Sequence, residues 1–283
     1  VDDVREIIAT IKAWSKQASK ITKLLDTYEK AHALPVDNAY VIEKKIKEIE
    51  TAIAALPDPN IRGTVNTWLN NEKTSVGKLK EDFRFRFGQQ LKALFEKDGV
   101  GIRGQYPLLR LGLFTLKLNF EFGEATLFFG PEVDRIKAKI PLHPKTIYDI
   151  VCRCRRDMEA KPFEPDNFYD DIYAAYQRCL RIAGKSLGDK VLVTDVLKEY
   201  VFLKQPKQFV TDPSKGHFHE YSRVKLSYML YRLKNTDVGT RGLRFHVATF
   251  DATVDKLRSF WIPDNEEGEG THYEYLSFEK PHD

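Results

Sequence analysis

The residue types best suited to chemistry gather in one stretch, residues 216–233, GHFHEYSRVKLSYMLYRL. His217 and His219 are two apart, so on a strand both imidazoles would leave the same face. They could hold zinc if His246, His272 or Asp212 came to meet them. His219 and Glu220 also open like the His-Glu-x-x-His helix of metalloproteases, but the fifth position is Arg223, where a second metal ligand is required. The segment therefore reads as the entry to a helix with Ser222 as its cap. No cofactor is expected, and His217 and His219 are the residual metal candidates.

Other chemical motifs fail on context. Gly184-Lys185-Ser186 carries the end of a phosphate-binding loop, yet Cys179 stands where that loop needs its first glycine, and helix precedes it. Gly184 reads as a helix terminator instead. Cys152 and Cys154 lie two apart on a helical pattern, where side chains diverge. Cys154 and Cys179 fall on apolar faces, as small hydrophobes do. Asp251, Asp255 and Lys256 imitate the acids and lysine of a metal-dependent nuclease, without its spacing. No serine elbow and no glycine-rich dinucleotide fingerprint is present.

The elements around these residues are clearer. Val4, Ile7, Ile11, Trp14, Ala18, Ile21, Leu25 and Tyr28 recur in steps of three and four, which is a heptad seam. Pro35 breaks it, and Ala39, Ile42, Ile46, Ile49, Ile53 and Leu56 supply a second seam. The short connection predicts an antiparallel hairpin. After LPDPN a third helix runs over residues 61–97, and residues 1–98 read as a coiled-coil-like helical bundle. Ile7, Ile11, Trp14, Ile21 and Trp68 are the candidates for contact with a protein partner or a second copy.

Over residues 99–142 the period falls to two. Leu116, Leu118, Phe120 and Phe122 alternate with polar residues, as do Leu127 with Phe129 and Ile136, Ala138 with Ile140. A three-stranded antiparallel meander follows from that pattern. Residues 143–283 form a C-terminal α/β module: two helices, a short strand at 189–193, a helix capped by Thr194, a polar stretch, a helix over 222–234, and strands at 243–250 and 271–280. The fold class expected for the whole chain is α+β.

The order helix, strand, helix, helix, strand, loop, strand resembles a winged-helix module, over about the last 120 residues. That resemblance implies a helix presented to DNA, with Leu226, Met229, Leu230 and Leu233 inward and Arg223, Lys225, Arg232 and Lys234 partly outward. Arg153, Arg155 and Arg156 are a second basic group able to meet phosphate. The loop that would form the wing is acidic, at Asp264, Glu266, Glu267 and Glu269.

Composition bounds the rest. The chain has 283 residues, 42% of them hydrophobic, and a net charge of +4, a basic excess that permits a phosphate-bearing partner without demanding one. Three cysteines and the absence of a signal-peptide pattern or a long apolar run lead to an expected cytoplasmic location with no membrane contact. The functional expectation is a non-enzymatic subunit or adaptor of a multi-protein complex. A bacterial DNA-transaction or antiviral-defence accessory protein fits that architecture. The alternatives are a metal-dependent nuclease-like hydrolase using Asp251, Asp255, His217 or His219, and a purely structural scaffold for protein interaction.

Overall fold

The computed structural model describes residues 2–159 and 162–279. The chain is α+β and divides into two compact units. One comprises Val1–Lys97 with Asn119–Glu124 and Leu142–Lys145; the other comprises Asp98–Leu118, Ala125–Pro141 and Thr146–Asp283. Most of residues 99–142, expected as a meander packed on a helix, are grouped with the C-terminal module, and the 119–124 turn with the helical unit.

The first unit is built on three helices, α1 (Asp2–His32), α2 (Ala39–Ala54) and α3 (Pro59–Glu96). Each boundary has a local cause. Pro59 takes the first position of α3, and Asp58 caps it by accepting from the amides of Asn60 and Ile61 at 2.8 and 3.1 Å. The second seam is fully used: Ile42, Ile46, Ile49 and Ile53 are buried, and Ile21, Tyr28, Leu69 and Val76 close over them. Ion pairs fix the antiparallel register of α2 on α3, with Glu50 on Lys73, Glu43 on Lys80 and Asp37 on Arg86. The 119–124 turn adds Phe120, whose ring meets Tyr40, Phe83 and Phe87.

In the second unit the meander has five strands, not three: β1 (Ile102–Gln105), β2 (Leu108–Leu111), β3 (Phe114–Asn119), β4 (Glu124–Phe129) and β5 (Asp134–Pro141), in sequential antiparallel order. The first two were missed because Gly, Arg and Pro interrupt the alternation there. The expected strand through Phe122 also stops early. The Asn119 side chain accepts from the Phe122 amide, a turn forms, and Phe122 is left exposed.

Next come α4 (Pro144–Glu159), α5 (Pro165–Ala183), β6 (Val191–Leu192), α6 (Val193–Leu203), a short α7 (Lys207–Thr211), α8 (Arg223–Lys234), β7 (Leu243–Val247), a one-turn α9 (Phe250–Thr253), β8 (Phe260–Pro263) and β9 (Gly270–Phe278). The element order read from the sequence is present, with α7, α9 and β8 added. Gly184 ends α5 in the left-handed conformation, φ +63°, as expected of a terminator. Thr194 is not a cap: α6 begins at Val193, and the threonine hydroxyl donates to the Leu257 carbonyl at 2.6 Å. Ala183, the last residue of α5, is exposed. The predicted last strand ran to Lys280, which lies outside the described residues.

The second sheet is organised by β9. It pairs antiparallel with β7 along one edge, and with β6 and β8 in succession along the other. Trp261 of β8 ties this sheet to the meander. Its indole lies edge-on to Phe129, and its carbonyl accepts from the Ser227 hydroxyl at 2.6 Å. Two glycines give it room. A Cβ at Gly130 would sit 2.9 Å from the indole, and one at Gly270 would sit 2.4 Å from it. Asp134 adds an electrostatic tie, accepting from Lys256 Nζ at 2.9 Å with Arg223 Nε 3.5 Å away.

Candidate partner-binding surface

The geometry of the first unit leaves one part of α1 without a neighbour. Gln17 Nε2 donates to the Ala52 carbonyl at 2.9 Å, so the end of α2 lies level with Gln17. Tyr28 meets Trp68 edge-on, with ring centroids 4.9 Å apart, and its hydroxyl donates to Glu72 at 2.6 Å. Since α3 starts only nine positions before Trp68, its first turn also reaches no further than that level. About fifteen residues of α1, a length of roughly 22 Å, therefore extend beyond the bundle.

The seam does not stop where the bundle stops. Its later members, Ile21 and Tyr28, are buried against α2 and α3. Its earlier members are open: Val4 is 58% exposed, Ile7 56%, Ile11 57% and Trp14 52%, with Ile8 beside them at 46%. Asp3, Glu6, Ile7, Thr10, Ile11 and Trp14 line a shallow groove of about 460 Å³. Of the five expected partner contacts, Ile7, Ile11 and Trp14 are thus free for an outside helix. Ile21 and Trp68 are committed to the bundle, because that half of the seam already has its partner. Ile8 was missed, as it lies beside the heptad positions and not on them.

The basic residues expected on a presented helix are placed differently. No residue of α8 from Arg223 to Lys234 is fully exposed. Ser227, Tyr228 and Tyr231 are buried together with Leu226, Leu230 and Leu233. Arg223 donates to the carbonyls of Lys256 and Ser259 at 3.1 and 2.9 Å and stacks on Phe260. Lys234 binds Asp264 at 2.5 Å and the Tyr273 hydroxyl at 2.9 Å. Asp264 accepts in turn from Thr271; these bonds and the lysine outweigh its burial and hold its carboxyl below the usual range. Arg232 lies over the Phe163 ring, and Lys225 is near the ring of Tyr221. The sequence pattern marked these side chains as polar. It could not show that the segments flanking β8, together with Tyr273 of β9, would supply acceptors for Arg223 and Lys234. Arg153, Arg155 and Arg156 of α4 do remain exposed, with Arg155 near Glu159.

The catalytic alternatives find no shared site. His217 Nδ1 turns back to the Asp212 carbonyl and the Ser214 hydroxyl, while His219 meets Gln205 only through its backbone. Lys256 is bound to Asp134, and Asp255 accepts from the Leu257 amide. Among the described residues no three His, Cys, Asp or Glu side chains gather as metal ligands. No helix among them is long and apolar enough to cross a membrane.

A pocket of about 470 Å³ between the end of α5, β6 and α6 exposes part of Cys179. Burial pushes that thiol up to about 11, with Glu199 and Asp195 adding to the shift. Burial also raises Cys152 and Cys154. At pH 8 only about one Cys179 in a thousand would be thiolate. Iodoacetamide should therefore modify Cys179 in the folded protein at least ~100-fold more slowly than free cysteine. A mass-spectrometric time course checks this, and rapid labelling would mean an activated nucleophile.

Comparison with protein-family models, with curated proteins and with solved structures returned no match.

Proposed function

We propose that this protein is a non-enzymatic assembly subunit that docks on another polypeptide helix through the open stripe of α1. The observation that carries the proposal is the continuity of one heptad seam. Ile21, Leu25 and Tyr28 are packed inside the bundle, while Val4, Ile7, Ile11 and Trp14 stand in water. A row of large apolar side chains on one helix face is the geometry of helix association, and isolated exposed apolar residues do not form such rows. The dispersed histidines, acids and raised thiols favour a binding role over catalysis.

The test is site-specific photocrosslinking in cells. A benzoylphenylalanine at position 11 or 14 should give a discrete adduct, and one at Ala9 or Lys23, on the opposite face of the seam, should give none. Loss of adducts from both stripe positions would remove the assembly reading.

Contact with nucleic acid is a second reading, and the exposed Arg153, Arg155 and Arg156 of α4 favour it. If these arginines meet phosphate, duplex binding by fluorescence anisotropy should weaken with salt, with a slope of about −0.9 per neutralised phosphate. Arg153→Glu/Arg156→Glu should then flatten that slope.

A further inference from the structure

We infer that the occupant of the open stripe is a second copy of this chain, laid antiparallel over the first fifteen residues of α1. The inference rests on the assembly reading above and names its partner.

The register follows from where the bundle begins. Val4 and Ile11 hold a positions of the heptad, and Ile7 and Trp14 hold d positions. In an antiparallel pair each layer joins an a residue to a d residue of the other copy. The offset that sets Val4 on Trp14 also sets Ile7 on Ile11, and repeats both layers by symmetry. One heptad further would carry the partner on to residue 21, and Ile21 is already buried in the bundle. One heptad less would leave only two layers. The chosen offset is the longest one that ends before Gln17, the residue level with the end of α2.

Side-chain volume agrees with this offset. Each layer pairs the largest residue with the smallest, Trp14 with Val4, or two isoleucines with each other. A parallel pair would stack Trp14 on Trp14 and Val4 on Val4, and would bring two bundles to the same end. In the antiparallel pair the bundles lie at opposite ends of the overlap. Ile8 flanks the seam close enough to meet its own copy. Thr10, Ser15 and Gln17 at flanking positions are uncharged, and the charged flanking residue Asp3 falls level with Ser15 to Gln17 of the other copy, so like charges do not meet in this register. The open side chains amount to about 500 Å² per copy, or roughly 1,000 Å² in total, at the lower limit for a specific interface. An interface at that limit is expected to be reversible, so the concentration range that tests it is about 1–100 µM.

Sedimentation equilibrium of the whole chain across that range should show mass rising from one copy towards two. Ile11→Glu introduces a buried charge into two layers and should weaken the dimer at least ~100-fold, with circular dichroism and melting unchanged. Orientation is read by disulfide trapping: Val4→Cys chains mixed with Trp14→Cys chains should cross-link under mild oxidation, while Val4→Cys chains alone should not. A chain that stays monomeric through ~100 µM overturns the inference. So does ready cross-linking of Val4→Cys with itself. If the chain is monomeric but stripe crosslinks in cells capture a different polypeptide, self-pairing falls and the assembly reading stands. If those crosslinks are also absent, both fall.

Discussion

Trp261→Ala should destabilise the second unit by about 3–5 kcal/mol. Trp261 is among the largest fully buried side chains, and it is shared by two sheets. Removing the indole strips Phe129 of its edge-to-face partner and opens a void bordered by Gly130 and Gly270. Those glycines cannot fill the space, since neither carries a side chain. For a unit of this size the loss corresponds to a melting shift of the order of 10 °C. Near-ultraviolet circular dichroism should report it, because the aromatic packing of the second unit is what is lost. Trp261→Phe keeps part of the ring and should recover part of the stability. A shift below about 2 °C for the alanine variant would show that the two sheets do not depend on this residue.

Arg223→Glu and Lys225→Glu should differ sharply, although both belong to the basic group read from the sequence. Arg223 serves two backbone carbonyls and faces Asp134, whose side chain is only 10% exposed. A glutamate there would leave both carbonyls without that donor and set two carboxylates side by side. The Arg223 side chain is 32% exposed, so solvent screens part of this penalty. About 3 kcal/mol is expected, at the low end for breaking a buried pair. Lys225 has only a distant contact with the Tyr221 ring, so its reversal should fall within about 0.5 kcal/mol of wild type. Urea denaturation of the two single variants measures the difference. Equal effects would mean that Arg223 is not an internal anchor.

The helical unit was the most legible part of the sequence. Its seams have a period that few other structures share, and its breaks fall on prolines whose effect is local. The meander was legible where large apolar residues alternated, at Leu116–Leu118 and Leu127–Phe129. It was not legible at β1 and β2, whose short strands mix arginine and glycine with leucine. The C-terminal unit could be read as an order of elements, since each helix carries its own periodicity. The surroundings of α8 could not be read, because they depend on β8, and FWIP has neither alternation nor length to mark it as a strand. The same limit applies to the surface: the seam identified Ile7, Ile11, Trp14, Ile21 and Trp68 alike. Which of them remain open depends on where α2 and α3 end relative to α1, a three-dimensional fact.

The position of β9 has a consequence for how the chain acquires its structure. The meander forms from neighbours in sequence, and most of the helical unit lies within its first hundred residues. The second sheet differs, for Val191 must wait for Leu276 and Leu243 for Phe278. On a ribosome, β6 and β7 would emerge with their edges unpaired and stay so until residues 270–278 had been released. Contacts of such long sequence separation form late and slowly. During that interval the exposed strands are open to mispairing. The final strand thus acts as a kinetic lock, and a ribosome stalled anywhere before it would hold a half-ordered chain.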